Sequence, residues 1–133
     1  MHFVWPTWDR LPLIHPEIES RLHRFIAAVA VEMGCKVLAI NGTEDHVHVL
    51  LSLRTTVTIA DLAKRMKGAS SLFANTDLFP EPQFKWSGSY GAFSVSRWDV
   101  PKIMDYIKRQ KEHHATGELL SEYEISDMFP LSS

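Results

Sequence analysis

From Pro16 to Met33 the apolar side chains fall at Ile18, Leu22, Phe25, Ile26, Val29 and Met33. Steps of three and four predict an amphipathic helix, with Pro16 in a favourable first turn and Gly34 as its stop. Ile59, Leu62, Ala63, Met66, Leu72 and Phe73 repeat that spacing over 58–73. Thr58 is the expected N-cap, and Lys64 and Lys67 make the polar side basic. Ile103, Met104 and Ile107 predict a third helix, Val100 to His114, and a weaker acidic one follows over 118–123.

Elsewhere the pattern shortens to strands. Phe3 to Trp8 is aromatic and β-branched but contains Pro6, which suits a sheet edge or a bulge better than a centre. Lys36 to Ile40 and His46 to Leu53 flank Asn41-Gly42 and Thr43-Glu44-Asp45, a hairpin signature. A loop rich in Pro and acid over 77–82 leads to Phe84-Lys85-Trp86, the turn Ser87-Gly88-Ser89 and a strand from Tyr90 to Ser96. The order strand, helix, strand, strand, helix, strand is the split βαβ pattern. It predicts an α+β, ferredoxin-like antiparallel sheet with both main helices on one face, extended by a C-terminal helix.

The chain has 133 residues, which fits one domain with a substantial core. The expected division is a core over about 3–96, the last helix over about 100–114 and an acidic tail over 115–133. Hydrophobic residues make up 45%, charged residues 23%, and the mean hydropathy is -0.11, the range of soluble globular proteins. No apolar stretch reaches the roughly 18 to 20 residues of a bilayer span, and no leader pattern opens the sequence, so the expected location is cytoplasmic. The single Cys35 excludes an internal disulfide and a thiolate zinc cluster; among Val37, Leu38 and Ile40 it reads as a small buried hydrophobe.

A formal charge of -2 argues on its face against a nucleic-acid binder. The average hides a segregation: residues 54–75 hold Arg54, Lys64, Arg65 and Lys67 against Asp61, whereas 115–133 hold Glu118, Glu122, Glu124 and Asp127 with no Lys or Arg.

The stretch Thr43-Glu-Asp-His-Val-His-Val-Leu-Leu-Ser-Leu53 carries the candidate chemistry. Residues two apart on a strand share a face, so His46 and His48 project together, opposite Val47, Val49 and Leu51. A solvated polar face would explain a bare His-x-His. A pair of metal ligands would too, with Asp45 placed to hydrogen-bond a ring nitrogen from outside the ligand set. Zinc would want a third His, Cys or carboxylate, and His2, His15, His23, His113 and His114 offer no evident one. Tyr106 and Gln110, four apart on the last predicted helix, are neighbours on one face. They offer a phenol nucleophile and a neutral oxygen ligand, and a His/His/Gln set with open positions suits Mg²⁺ or Mn²⁺.

With these residues the sequence resembles the small single-tyrosine HUH transposases of bacterial insertion sequences and their repeat-associated tyrosine transposase relatives. The resemblance runs from about Phe3 to His114. It rests on "GTEDHVHVLLSL" as the histidine-hydrophobic-histidine strand, "LAKRMKGASS" as a basic helix, "WSGSYGAFSVS" as the strands before the catalytic helix and "YIKRQKEHH" as the tyrosine helix. Pro6 and Trp8 are less typical of the family, and the acidic tail matches no motif of it. The resemblance implies metal ligands His46, His48 and Gln110, a nucleophile Tyr106, and Mg²⁺ or Mn²⁺ as cofactor. It further implies a single-stranded DNA substrate, with hairpin-bearing element ends, and a homodimer in which the tyrosine helix serves its own or its partner's histidines.

A free phenol titrates near 10, so Tyr106 requires activation by the metal or by Lys102, Arg109 or Lys111. Phosphate contacts are expected from Arg54, Lys64, Arg65, Lys67 and Lys85, with His113 and His114 either touching phosphates or capping a helix. Trp86 and Tyr90 are candidates for stacking on bases, whereas Phe93 reads as core. A two-histidine phosphoesterase lacks its second His-x-Thr/Ser motif here. A non-catalytic or domesticated single-stranded nucleic-acid module on the same sheet would bind DNA without cutting it.

Overall fold

The computed structural model describes residues 1–111. Strands β1 (His2–Pro6), β2 (Lys36–Gly42), β3 (His46–Ser52) and β4 (Gly91–Phe93) alternate with helices α1 (Pro16–Glu32), α2 (Ile59–Phe73) and α3 (Val100–Lys108). The predicted helix at 118–123, the acidic tail, His113 and His114 lie outside the described residues.

The sheet is antiparallel throughout, in the order β2-β3-β1-β4. Each helical crossover therefore skips one strand, which is the split βαβ arrangement. α1 stops where Gly34 takes a φ of 87°, a left-handed conformation that L side chains resist. α2 starts at Thr58, whose hydroxyl accepts from the Asp61 amide.

Three expectations change. β1 is a central strand, hydrogen-bonded on one side to β3 and on the other to β4. Pro6 is tolerated because β4 pairs only with His2, Phe3 and Val4. Pro6 itself closes the ladder opposite His46, and its carbonyl accepts from the Ser87 amide. Asn41 and Gly42 belong to β2, opposite His48 and Val47, and the chain reverses over 43–45. A Cβ at Gly42 would run into the His46 carbonyl, so this glycine supplies space rather than a turn. The last strand is short, because only Gly91–Phe93 pairs with β1, while Trp86 forms an isolated bridge to Thr7.

The register of β2 against β3 also slips between Val37 and Ala39. With Leu38 as the extra residue, Val37 and Ile40 face the same side although three positions apart.

Both faces of the sheet are covered. Phe3, Trp5, Val47, Val49 and Leu51 pack against Ile18, Leu22 and Ile26 of α1 and Leu62 and Met66 of α2; Cys35 is buried in the same cluster and free. The two main helices thus share one face. On the other face α3 sets Ile103, Tyr106 and Ile107 on Ala39 and Leu50.

Candidate metal and nucleophile site

Strand alternation delivers His46 and His48 to the α3 side of the sheet, where both are buried at 0% and 1% exposure. Tyr106 comes down from α3 with its ring edge-on to His48, centroids 5.9 Å apart. After α3 ends at Lys108, Gln110 turns inward, fully buried, with Oε1 3.2 Å from His46 Nε2. The four residues singled out from the strand and the helix are therefore gathered in one place, within a single chain.

The other nitrogen of His46 is held from the loop before β3. His46 Nδ1 lies 2.7 Å from Asp45 Oδ1 and 2.9 Å from Thr43 Oγ1, and the Thr43 hydroxyl also donates to Asp45 Oδ1. Partial burial works to raise the Asp45 pKa, but the His46 hydrogen bond, the charges of His46 and Arg10 and the Thr43 hydroxyl outweigh it and bring it to about 2. An ionised carboxylate only accepts, so a proton sits on His46 Nδ1, and in the neutral ring Nε2 then presents a lone pair.

That lone pair faces Gln110 Oε1, another acceptor. Two acceptors at 3.2 Å are satisfied by a cation or a second proton between them, or by the amide turned so that Nε2 donates to His46. Gln110 Nε2, also buried, has no hydrogen-bond partner among the described residues, a costly state for an amide closed off by protein alone. Imidazole nitrogens with an amide oxygen match a divalent cation that keeps positions open for phosphate oxygen. Among the described residues no group of three or more His, Cys, Asp or Glu side chains is placed to hold a metal.

Two further groups reach the histidines from β1 and the turn after it, and neither stood out in the sequence. His2, opposite Leu50 and diagonal to His48 across the β1–β3 ladder, sets Nε2 2.9 Å from His48 Nδ1, the rings meeting edge to edge with centroids 5.1 Å apart. It is fully buried, and burial pushes its pKa down to about 4, keeping the ring neutral. In the sequence His2 offers no evident third ligand; its signal is the alternation of His2 and Val4 against Phe3 and Trp5, readable only once β1 is paired with β3. Arg10 places Nη2 3.5 Å from Asp45 Oδ2. Its backbone and that of Asp9 have φ of 52° and 53°, a conformation unfavourable for arginine, and no sequence signal announces it.

The expected DNA contacts divide. Arg54, Lys64, Arg65, Lys85 and Lys102 are exposed. Arg109 is exposed and 3.6 Å from Asp105. Lys67 is half-buried, donates to the carbonyls of Ser87 and Ser89 at 2.6 and 3.0 Å, and has its pKa lowered by burial; it fixes a loop first. Lys111 is also a structural group, bonded to Asn41 Oδ1 at 2.8 Å and paired with Glu19 at 2.8 Å.

Trp86 does not offer a stacking face: it is 6% exposed and donates through Nε1 to Ser70, because the loop after α2 tucks it against Trp5 and Phe84. Tyr90 is open and lines a cleft of about 320 Å³ with Ala60, Lys64, Lys67 and Gly88. Phe93, expected in the core, is exposed on the edge strand β4. The sequence reading also passed over two open tryptophans, Trp8 with Lys85 Nζ 3.9 Å above its ring and Trp98 with Arg97 at 4.9 Å.

A buried histidine pair on a ferredoxin-like sheet is faced by a tyrosine of α3 and by the glutamine just after that helix. By sequence the chain is a transposase: the family described as "Transposase IS200 like" matches residues 1–110, and the chain belongs to it. It is 29% identical over 119 residues to the ISDra2 transposase TnpA of Deinococcus radiodurans, covering 84% of this chain and 83% of that protein. It is 32% identical over 126 residues to the transposase for insertion sequence element IS200 of Salmonella typhimurium, covering 90% and 82%. A crystal structure of a Deinococcus radiodurans R1 protein described as a transposase superposes with a TM-score of 0.63 at 28% identity, over 82% of this chain and 88% of that one. No helix among the described residues is long and apolar enough to cross a membrane.

Proposed function

We propose that this transposase cuts and rejoins single-stranded DNA by transesterification through Tyr106, at a divalent cation held by His46, His48 and Gln110. The observation that carries the reading is the approach of Gln110 Oε1 to His46 Nε2 at 3.2 Å, with the His46 proton held on the far nitrogen by Asp45. When bound, Mg²⁺ or Mn²⁺ supplies charge stabilisation for the scissile phosphate.

The residues of the chain do the rest. Tyr106 Oη attacks phosphorus, the bond from phosphorus to the 3′ oxygen breaks, and the phenolic proton is made up on the departing oxygen. The products are a 5′-phosphotyrosine and a free 3′-OH. Attack by a second 3′-OH reverses the step and joins new partners, with the tyrosine recovering its proton and no nucleotide consumed. Tyr106 is only 2% exposed beneath α3, so DNA reaches its hydroxyl when that helix shifts. Phosphates run over Arg54, Lys64, Arg65 and Lys85, and Tyr90, Trp8 and Trp98 receive unstacked bases. A second copy of the chain completes a homodimer.

Tyr106→Phe removes only the nucleophilic oxygen. Incubated with single-stranded element ends and Mn²⁺, the variant is expected to form no covalent adduct on denaturing gels while binding DNA within about threefold of wild type, a change below 1 kcal/mol. An adduct in the variant transfers the role to another residue. Binding without any metal-dependent adduct in the wild type favours a non-catalytic binding module.

A further inference from the structure

We propose that His2 is a positioning residue for the metal site, fixing the ring orientation and tautomer of His48 as Asp45 fixes those of His46. The inference rests on the reading of His46, His48 and Gln110 as cation ligands.

His2 Nε2 approaches His48 Nδ1 to 2.9 Å, with both rings buried. Two imidazole nitrogens at that distance share one proton, so the bond has two forms. If His2 donates, His48 Nδ1 is the acceptor and its remaining proton lies on Nε2, which closes that nitrogen to a cation. If His48 donates, its Nε2 carries a lone pair and can join the His46 nitrogen and the Gln110 oxygen. A ligand role for His48 therefore requires His2 to accept.

Three features of the fold fix the contact between the two rings. His2 sits on the central strand, diagonal to His48 in a register fixed along the whole of β1, so the contact is set by backbone pairing. Phe93 of β4, paired with His2, brings its ring to 6.2 Å and closes the other side. The rings meet edge to edge with their planes 27° apart, which fixes the plane of the His48 ring. The two ligand histidines are thus braced by different groups: His48 by an imidazole of β1, His46 by the carboxylate before β3 that Arg10 pairs with in turn. Outer partners of this kind govern metal affinity by roughly 10- to 100-fold.

The test compares wild type with His2→Ala and His2→Gln, whose amide oxygen can accept from His48 Nδ1. Mn²⁺ affinity is read by calorimetry without DNA, and the His48 tautomer by long-range ¹⁵N–¹H NMR of the metal-free protein. The expected results are a proton on His48 Nδ1 in wild type, a roughly 10- to 100-fold weaker Kd and a mixed tautomer in His2→Ala, and recovery of most of the loss in His2→Gln. Unchanged affinity and tautomer in His2→Ala overturn the inference. So does a His2→Gln variant no better than His2→Ala, which reduces His2 to a packing residue. Wild-type protein that binds no Mn²⁺ overturns the metal reading itself, and with it this one.

Discussion

Asp45 is one position where a single side chain decides the chemistry of another. Its carboxylate, brought to about 2 despite partial burial, holds the His46 proton on the nitrogen away from Gln110. Asp45→Ala is expected to weaken Mn²⁺ binding by roughly 10- to 100-fold with little change in the folded structure, as read by calorimetry and circular dichroism. Wild-type affinity in the variant would mean that Thr43 alone orients the ring. The roles offered for His46, His48, Tyr106 and Gln110 were legible in sequence because strand and helix periodicities put each pair on one face. Those of His2 and Arg10 were not: a hydrogen bond between residues 2 and 48 depends on register, and a left-handed arginine leaves no mark in composition. Trp86 failed for the converse reason, since an aromatic next to a lysine looks like a surface platform until its indole is seen to bond Ser70.

Elements position these residues through apolar contact more than through ion pairs. Ile103 and Ile107 are fully buried beneath α3, each worth about 1.5–3 kcal/mol, whereas the half-exposed Lys111–Glu19 pair at its end contributes at most about 1 kcal/mol. α3 therefore adheres to the sheet by an apolar seam. The β2–β3 hairpin is the stiffer element, and Gly42 is its tightest point. Gly42→Ala forces a Cβ against the His46 carbonyl and is expected to cost about 1–3 kcal/mol in urea denaturation. It should also displace His46 and weaken Mn²⁺ binding; an alanine variant as stable as wild type would show that the hairpin can open there without strain. Helices α1 and α2 were readable from spacing and caps, while the bulge at Leu38 was not, because an extra residue in one strand is defined only by its partner.

For the whole molecule, pH is a direct probe of how the core is built. His23, on the buried face of α1, has its pKa pushed down to about 4 by burial, with Glu19 raising it and Lys111 lowering it further. Below its ordinary value near 6.5 the unfolded chain takes up a proton that the folded chain refuses. Stability is therefore full above about 6.5 and falls as the pH drops toward 4. Between pH 7 and pH 5 this residue alone removes about 2 kcal/mol. Urea titrations at both values should show a smaller loss in His23→Gln than in wild type, and equal losses would place the proton uptake elsewhere. The net charge of -2 does not describe this surface evenly, because Arg54, Lys64 and Arg65 stand exposed together on and beside α2.

By itself the sequence determined the helices, the strand alternation and the order of elements, all consequences of local periodicity and of the few residues that start or stop an element. It also carried the four side chains that the family resemblance marks. Tertiary structure decided that β1 is central, that His2 reaches His48, that Lys67 and Lys111 are tied to the fold and that Gln110 turns in to face His46. Each of those depends on strand register or on how α3 sits on the sheet, and such contacts between distant residues are fixed only when the whole core closes.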